Sequence, residues 1–161
     1  MAFDTRAFRD ALGCFPTGVA VVTAESADRP PMGITVNSFA SVSLDPPLVL
    51  WCVDRRSDRF RTFSTAKGFT VSVLDATHGG VSARLARPGA HALDGISMTA
   101  TALGPPALAD ALAVFECVRE HTHAGGDHVI LVGRVERFSH KPAGAPLVFF
   151  RGRYGTVGGA P

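Results

Sequence analysis

Charge is scarce in this chain: 19% of its 161 residues are charged, and sixteen basic against fourteen acidic side chains leave a formal net charge of +2. With no basic run longer than Arg55-Arg56, that balance argues against a nucleic-acid surface. Cysteine is scarce too. Cys14, Cys52 and Cys117 are far apart, odd in number and without a Cys-x-x-Cys pair or a histidine spacing suited to zinc, so they read as reduced core residues of a cytoplasmic protein. No apolar window approaches the length of a membrane span, and the start, Met1 to Arg6, has neither a basic segment nor an apolar one of the kind a secretory leader carries. A soluble protein with no membrane partner is expected. There is no Gly-x-Gly-x-x-Gly after a strand and no Walker loop, which disfavours a Rossmann-type nucleotide domain. No internal repeat or low-complexity block is present.

What is abundant is apolar residues, 46%, with seventeen glycines and eleven prolines. One domain over 1–161 follows, rich in turns and hence in β structure. Asp4 or Thr5 can cap a helix with Phe8 and Leu12 on one face, halted by Gly13, Pro16 and Gly18. Val19 to Thr23 is a β-branched run, and a turn at Asp28 to Pro31 leads into a strand from Met32 that Asp45-Pro46-Pro47 ends. Leu48 to Val53 is continuously apolar and is expected to be central, buried on both faces. A short helix carries Phe60 and Phe63, with Ser57 or Asp58 as its cap, and a second helix spans Thr77 to Leu85. Phe69 to Leu74 is a strand between them. Two long strands, Ala113 to Thr122 and Val129 to Ser139, flank the turn Ala124 to Asp127, and Leu147 to Arg151 is a last strand. The tail 155–161 is expected to be flexible. Strands in hairpins with three short helical inserts suggest a closed antiparallel barrel. Phe8, Phe15, Phe60, Phe63, Phe115 and Trp51 are its expected core.

The most informative stretch begins at Met32. Thr35, Asn37, Ser41 and Ser43 share one parity of a period-two alternation, and Ser38 lies on the other beside Val36 and Val42. Such a strand offers many hydrogen bonds and almost no charge, which suits a flat ring rich in carbonyls and ring nitrogens as well as it suits a solvent-facing row. The string Gly33-Ile34-Thr35-Val36-Asn37-Ser38-Phe39-Ala40-Ser41-Val42-Ser43-Leu44-Asp45-Pro46-Pro47-Leu48-Val49 resembles, nearly residue for residue, the signature of the short-chain flavin reductases, the reductase partners of two-component flavin-dependent monooxygenases. Phe8 to Val22, Gly126-Asp127-His128 with Val129 to Val135, and Pro146 to Tyr154 resemble the same family in the same order, so the likeness runs from Phe8 to Tyr154.

The resemblance implies a mostly β fold, the FMN-binding split β-barrel, in a homodimer with flavin near the subunit interface. It implies an NAD(P)H:flavin oxidoreductase moving hydride from NADH or NADPH to FMN or FAD, a task that needs orientation more than a protein acid, base or metal. It assigns flavin contacts to Thr35, Val36, Asn37, Ser38 and Ser41, with Ser38 nearest the reactive edge of the ring. Asp54, Ser57 and the first N–H groups of the following helix, reinforced by Arg55 or Arg56, lie between a buried strand and a helix and correspond to the family's phosphate cradle. His128, in the Gly-Asp-His motif, belongs to the nicotinamide side, as do Arg153 and Tyr154. Read without the resemblance, these are a capping histidine, a solvated turn and a barrel-end cover. His121 and His123 share a strand parity but lack the third ligand a metal site needs. The stretch Arg87 to Asp110, rich in alanine and other small residues, departs from many relatives and leaves NADH against NADPH open. Two other readings remain: a flavoprotein reducing another acceptor such as a corrinoid or ferric complex, and a non-catalytic flavin- or haem-binding barrel.

Overall fold

Asp4 starts the first helix by accepting hydrogen bonds on its carboxylate from the N–H groups of Arg6 and Ala7, at 2.9 and 3.0 Å, and α1 (Thr5–Leu12) runs to Gly13. The structure is a computed structural model and describes residues 3–158. Twelve strands follow among those residues: β1 (Thr17–Gly18), β2 (Ala20–Ser26), β3 (Arg29–Val36), β4 (Ala40–Leu44), β5 (Pro47–Asp54), β6 (Gly68–Val73), β7 (Met98–Thr99), β8 (Ala107–Leu108), β9 (Ala113–Gly125), β10 (His128–His140), β11 (Leu147–Phe150) and β12 (Arg153–Thr156). The helices α2 (Phe60–Thr65) and α3 (Gly79–Leu85) sit between β5 and β6 and after β6, with a 3-10 turn at Ala76–His78 ahead of α3.

Seven strands form one antiparallel sheet in the order β3-β2-β6-β9-β10-β5-β4, and β1-β11-β12 form a second. Its two end strands, β3 and β4, are consecutive in the chain and separated by Asn37, Ser38 and Phe39 alone. Four Cα steps reach at most about 14 Å, so the margins of a seven-stranded sheet must lie side by side at that point. The sheet is therefore rolled into a barrel with a seam. The fold is the mostly β, split-barrel type expected, but its hydrogen-bond ladder is not the closed one that the avoidance of edges suggested. Nor is Met32 to Leu44 one strand. It breaks at Asn37, and Thr35 and Ser41, which would share a face on one strand, lie on opposite margins of the sheet.

Trp51, Phe63 and Phe69 fill the barrel, Trp51 meeting the other two edge-on with centroids 5.1 and 5.7 Å apart. The strand covered on both faces is β2, not β5. Ala20, Val22 and Ala24 face the barrel interior, while Val19 and Val21 join Leu74, Leu85, Leu108 and Leu147 in a second core beneath α3. In β5 the buried residues Val49, Trp51 and Val53 alternate with half-buried Leu48, Leu50 and Cys52, so its outer face is only partly covered. A loop ahead of β8 covers the β2–β6 side instead, held by buried hydroxyls: Thr23 and Thr70 donate to the Pro106 and Pro105 carbonyls at 2.6 and 2.7 Å. Phe8 and Phe15 are exposed rather than core, because α1 buries no residue. Cys14 is likewise exposed, Cys52 half-buried and Cys117 buried. Of the tail, Gly155 and Thr156 belong to β12, paired with Val148 and Leu147, and 159–161 lie outside the described residues.

Candidate functional site

The pairing of β5 with β10 sets Asp54 opposite His128, and the pairing of β10 with β9 sets His128 opposite Gly125. Gly126, at φ 68°, makes the tight turn that brings the hairpin tip back to this corner. The seam arrives from the other side. The result is a cleft of about 490 Å³ walled by Thr35, Val36, Asn37 and Ser38 and by Asp54 and His128, with half-buried Cys52 and Ile130 also lining it. Six of the residues singled out in the sequence thus meet in one place. The volume is in the range of small-molecule sites.

Ser38 is the stitch of the seam. The Cys52 N–H donates to its Oγ at 3.0 Å, and the hydroxyl donates in return to the Cys52 carbonyl at a long 3.4 Å. The Thr35 hydroxyl donates to the Ser82 carbonyl on α3 at 2.8 Å, so its donor is used away from the cleft. Charge gathers at the rim. Arg56 donates to Asp54 at 3.1 Å and lies 3.8 Å from Asp127, whose Oδ1 is 2.8 Å from His128 Nδ1. Hydrogen bonds from Arg56 hold the Asp54 carboxyl below the usual carboxylate range, and the His128 bond does the same for Asp127. Arg56 therefore sits between the Asp54 and Asp127 carboxylates, and the His128 ring adds a hydrogen bond to Asp127. Arg55 uses its backbone N–H on the Asp127 carbonyl and leaves its exposed guanidinium outside this cluster.

A second, larger cleft of about 730 Å³ lies between the end of α1 and the β11–β12 turn, lined by Arg9, Cys14, Thr17, Phe149, Arg151 and also by Asn37. Asn37 thus belongs to both clefts. The Arg151 N–H donates to the Gly13 carbonyl at 3.0 Å, and its guanidinium lies 5.2 Å over Phe150 and 3.6 Å from Cys14 Sγ.

The remaining expected residues fall elsewhere. Ser41 is exposed on β4 opposite Val49, outside the cleft. Ser57 accepts on its hydroxyl from the Arg59 N–H at 3.2 Å, but α2 begins only at Phe60, with Arg59 in the capping position and no side-chain cap. Neither Ser57 nor Asp58 caps it, because Asp58 turns to the Gly89 N–H at 2.8 Å and buried Arg59 donates to the Leu85 carbonyl at 2.9 Å. Arg153 and Tyr154 lie on β12, and Tyr154 reaches the Ser82 hydroxyl at 2.8 Å. Ser82 and Arg151 were not singled out by sequence reasoning. Ser82 shows no local signal, since its partners are 47 and 72 residues away. Arg151 stands in the Phe-Arg-Gly-Arg-Tyr string beside Arg153 and could have been found there. Among the described residues no group of three or more metal-ligating side chains occurs, and His121 and His123 stand with ring centroids 5.9 Å apart.

Thiol chemistry offers a direct check of this arrangement. Burial, with Glu116 and Glu136 nearby, pushes the Cys117 thiol up to about 12, and burial raises Cys52 as well. An aromatic disulfide reagent is expected to label Cys14 quickly, Cys52 slowly, and Cys117 only after unfolding. A molecule seated in the cleft should slow Cys52 further, and equal rates at all three would contradict the placement.

A flat aromatic ring system with carbonyls fits this cleft: its lining is neutral along the seam, exposed Asn37 contributes an amide, and the Ser38 hydrogen is only loosely engaged. Comparison with known proteins agrees. The family model described as a flavin reductase like domain matches residues 12–158. An NADH-dependent FMN reductase of Agrobacterium fabrum, SmoA, is 48% identical over 152 residues, 94% of this chain and 86% of that protein. The reductase subunit HsaB of a flavin-dependent monooxygenase from Mycobacterium tuberculosis is 39% identical over 94% of this chain and 81% of its own length. The NADH:FAD oxidoreductase SgcE6 of Streptomyces globisporus, solved with NAD and FAD fragments, superposes with a TM-score of 0.88 at 35% identity, covering 96% of this chain and 94% of that one. Some relatives are longer: of one from Rhizobium meliloti, 42% identical, this chain spans 49%.

Proposed function

The chain belongs to the flavin reductase-like family, and on that footing we propose that it reduces FMN or FAD with NADH or NADPH and supplies the reduced flavin to a separate monooxygenase. The observation that carries this reading is the cleft at the seam, with its neutral polar wall on one side and His128 on the other. Bound flavin would supply the electron sink for hydride transfer. The protein's part is to hold two rings in register.

In this reading Asn37 and the backbone of Thr35 to Ser38 seat the flavin, and Ser38 redirects its weakly held hydrogen to a ring acceptor. Arg55, Asp54 and Ser57 form the phosphate end, with Arg55 as the cation not already matched by a carboxylate. Ser41, exposed on β4, is the remaining flavin contact of this reading, made where a second subunit carries the ligand to it. Asp127, as the acceptor at Nδ1, leaves Nε2 of His128 to meet the nicotinamide. Arg153 and Tyr154 line that side, beside the larger cleft that shares Asn37. Exchange of the product is served by contacts that are many and neutral. A homodimer fits the apolar residues left exposed, Phe8, Leu12, Val42 and Leu44 among them. A cytoplasmic setting fits three unpaired thiols, and no helix among the described residues is long and apolar enough to cross a membrane.

The test is NAD(P)H oxidation by the purified protein with FMN, FAD and riboflavin each in excess. Fast turnover with free flavin is expected. Turnover that appears only with a corrinoid or ferric acceptor would move the function to another substrate, and none at all would leave a binding protein. His128→Ala should raise the nicotinamide KM several-fold more than the flavin KM, and an unmoved nicotinamide KM removes His128 from that side.

A further inference from the structure

Ser82 lies at the centre of α3, fully buried, and its carbonyl and its hydroxyl each meet a different strand, the carbonyl also accepting the Ala86 N–H at 3.0 Å within the helix. Its carbonyl accepts from the Thr35 hydroxyl on β3 at 2.8 Å, and its hydroxyl lies 2.8 Å from the Tyr154 phenol on β12. These strands belong to different sheets, β3 to the rolled sheet and β12 to the three-stranded one. The Tyr154 ring also meets Phe149 of β11 edge-on at 5.7 Å. The helix itself is pinned, since Arg59 donates to the Leu85 carbonyl and also to that of Arg87, while Arg84 donates to the Ala92 and Asp94 carbonyls.

We infer that Ser82 is a positioning residue for hydride transfer: it fixes the distance between the flavin wall at Thr35 and the nicotinamide-side Tyr154 by bonding to both. This inference rests on the proposed function and adds a residue to it. A side chain at van der Waals distance would hold two strands loosely, whereas two hydrogen bonds from one residue fix direction as well as separation. Tyr154 is 40% exposed, so a phenol that has lost Ser82 turns to water at little cost and β12 is freed to shift relative to β3. The Thr35 arm is independent of the side chain, because it ends on the Ser82 backbone. Ser82→Ala therefore cuts one arm and leaves the other.

The experiment compares wild type, Ser82→Ala, Tyr154→Phe and the double variant in steady-state NADH oxidation with FMN. Ser82→Ala is expected to raise the nicotinamide KM about threefold to tenfold, the range one net hydrogen bond spans, with the flavin KM within about twofold of wild type. Tyr154→Phe should do the same, and the double variant should be no worse than the more affected single one, since both remove the same bond. Tyr154 is the one tyrosine of the chain, so the near-ultraviolet tyrosine difference spectrum of Ser82→Ala reports the loss of its partner directly. Additive effects, a flavin KM that rises as much as the nicotinamide KM, or an unchanged tyrosine spectrum would overturn the role. So would an unmoved nicotinamide KM in a Ser82→Ala protein beside a fully active wild type, leaving the reductase reading intact. A wild type without flavin-dependent NADH oxidation overturns both.

Discussion

Ser38→Val is expected to weaken flavin binding by about tenfold to a hundredfold and to lower stability by about 1–3 kcal/mol, the penalty for leaving a shielded N–H without its acceptor. Valine has the shape of threonine with the hydroxyl replaced by a methyl, and it offers nothing to the Cys52 N–H that Ser38 now accepts at 3.0 Å. With that bond gone the linker between β3 and β4 is no longer held to β5, and the wall that carries Asn37 can drift. Ser38→Thr keeps the oxygen and should stay near wild type. Trp51, the one tryptophan of the chain, is the neighbour of Cys52 in sequence, so quenching of its fluorescence by added flavin measures the affinity. A lowered melting temperature with unchanged flavin affinity would leave Ser38 a purely architectural part.

Gly133→Ala is expected to cost about 3 kcal/mol, the upper end for overpacking, and to lower the melting temperature by about 6–12 °C. Gly133 sits inside the barrel on β10, next to a register shift, where a Cβ would stand 2.5 Å from Phe69 Cζ and 2.8 Å from Cys117 Cβ. The Phe69 ring lies there because Trp51 holds its other side. Neither ring has room to withdraw from a filled core. Thermal unfolding checks this, and a shift below 2 °C would mean that the ring has a second place to go.

Local chemistry was readable from the chain wherever a signal is short-range. Asp4 and Gly13 marked the ends of α1, the strand run from Val129 and the Ala-Gly-Gly-Asp turn before it marked the long hairpin, and the string from Gly33 to Val49 marked the seam residues that now line the cleft. What failed depends on what lies against an element. The apolar run Leu48 to Val53 has the composition of a strand covered twice, yet the covers, α3 and the loop to β8, fell on β2. Asn37 breaks a strand pattern that has no proline or glycine at that point, because the turn is made by curling the whole sheet rather than by local preference. Ser82 was invisible for the same reason: its importance lies in Thr35 and Tyr154, and a seven-residue helix announces neither. Phe8 was read correctly as sharing a helix face with Leu12 and wrongly as core, since an amphipathic pattern says that a face is covered without saying by what.

The two free margins of the rolled sheet differ in how they would meet a stray extended chain. β3 opens with Arg29, Pro30 and Pro31, two of which have no N–H to lend, and Met32 and Gly33 are already engaged by residues 91 and 92. β4 has neither proline nor a covering segment along Ala40 to Leu44, and it ends on a leucine that is 96% exposed. Any uncontrolled accretion of unfolded chains in a crowded solution would therefore begin on one flank of the molecule.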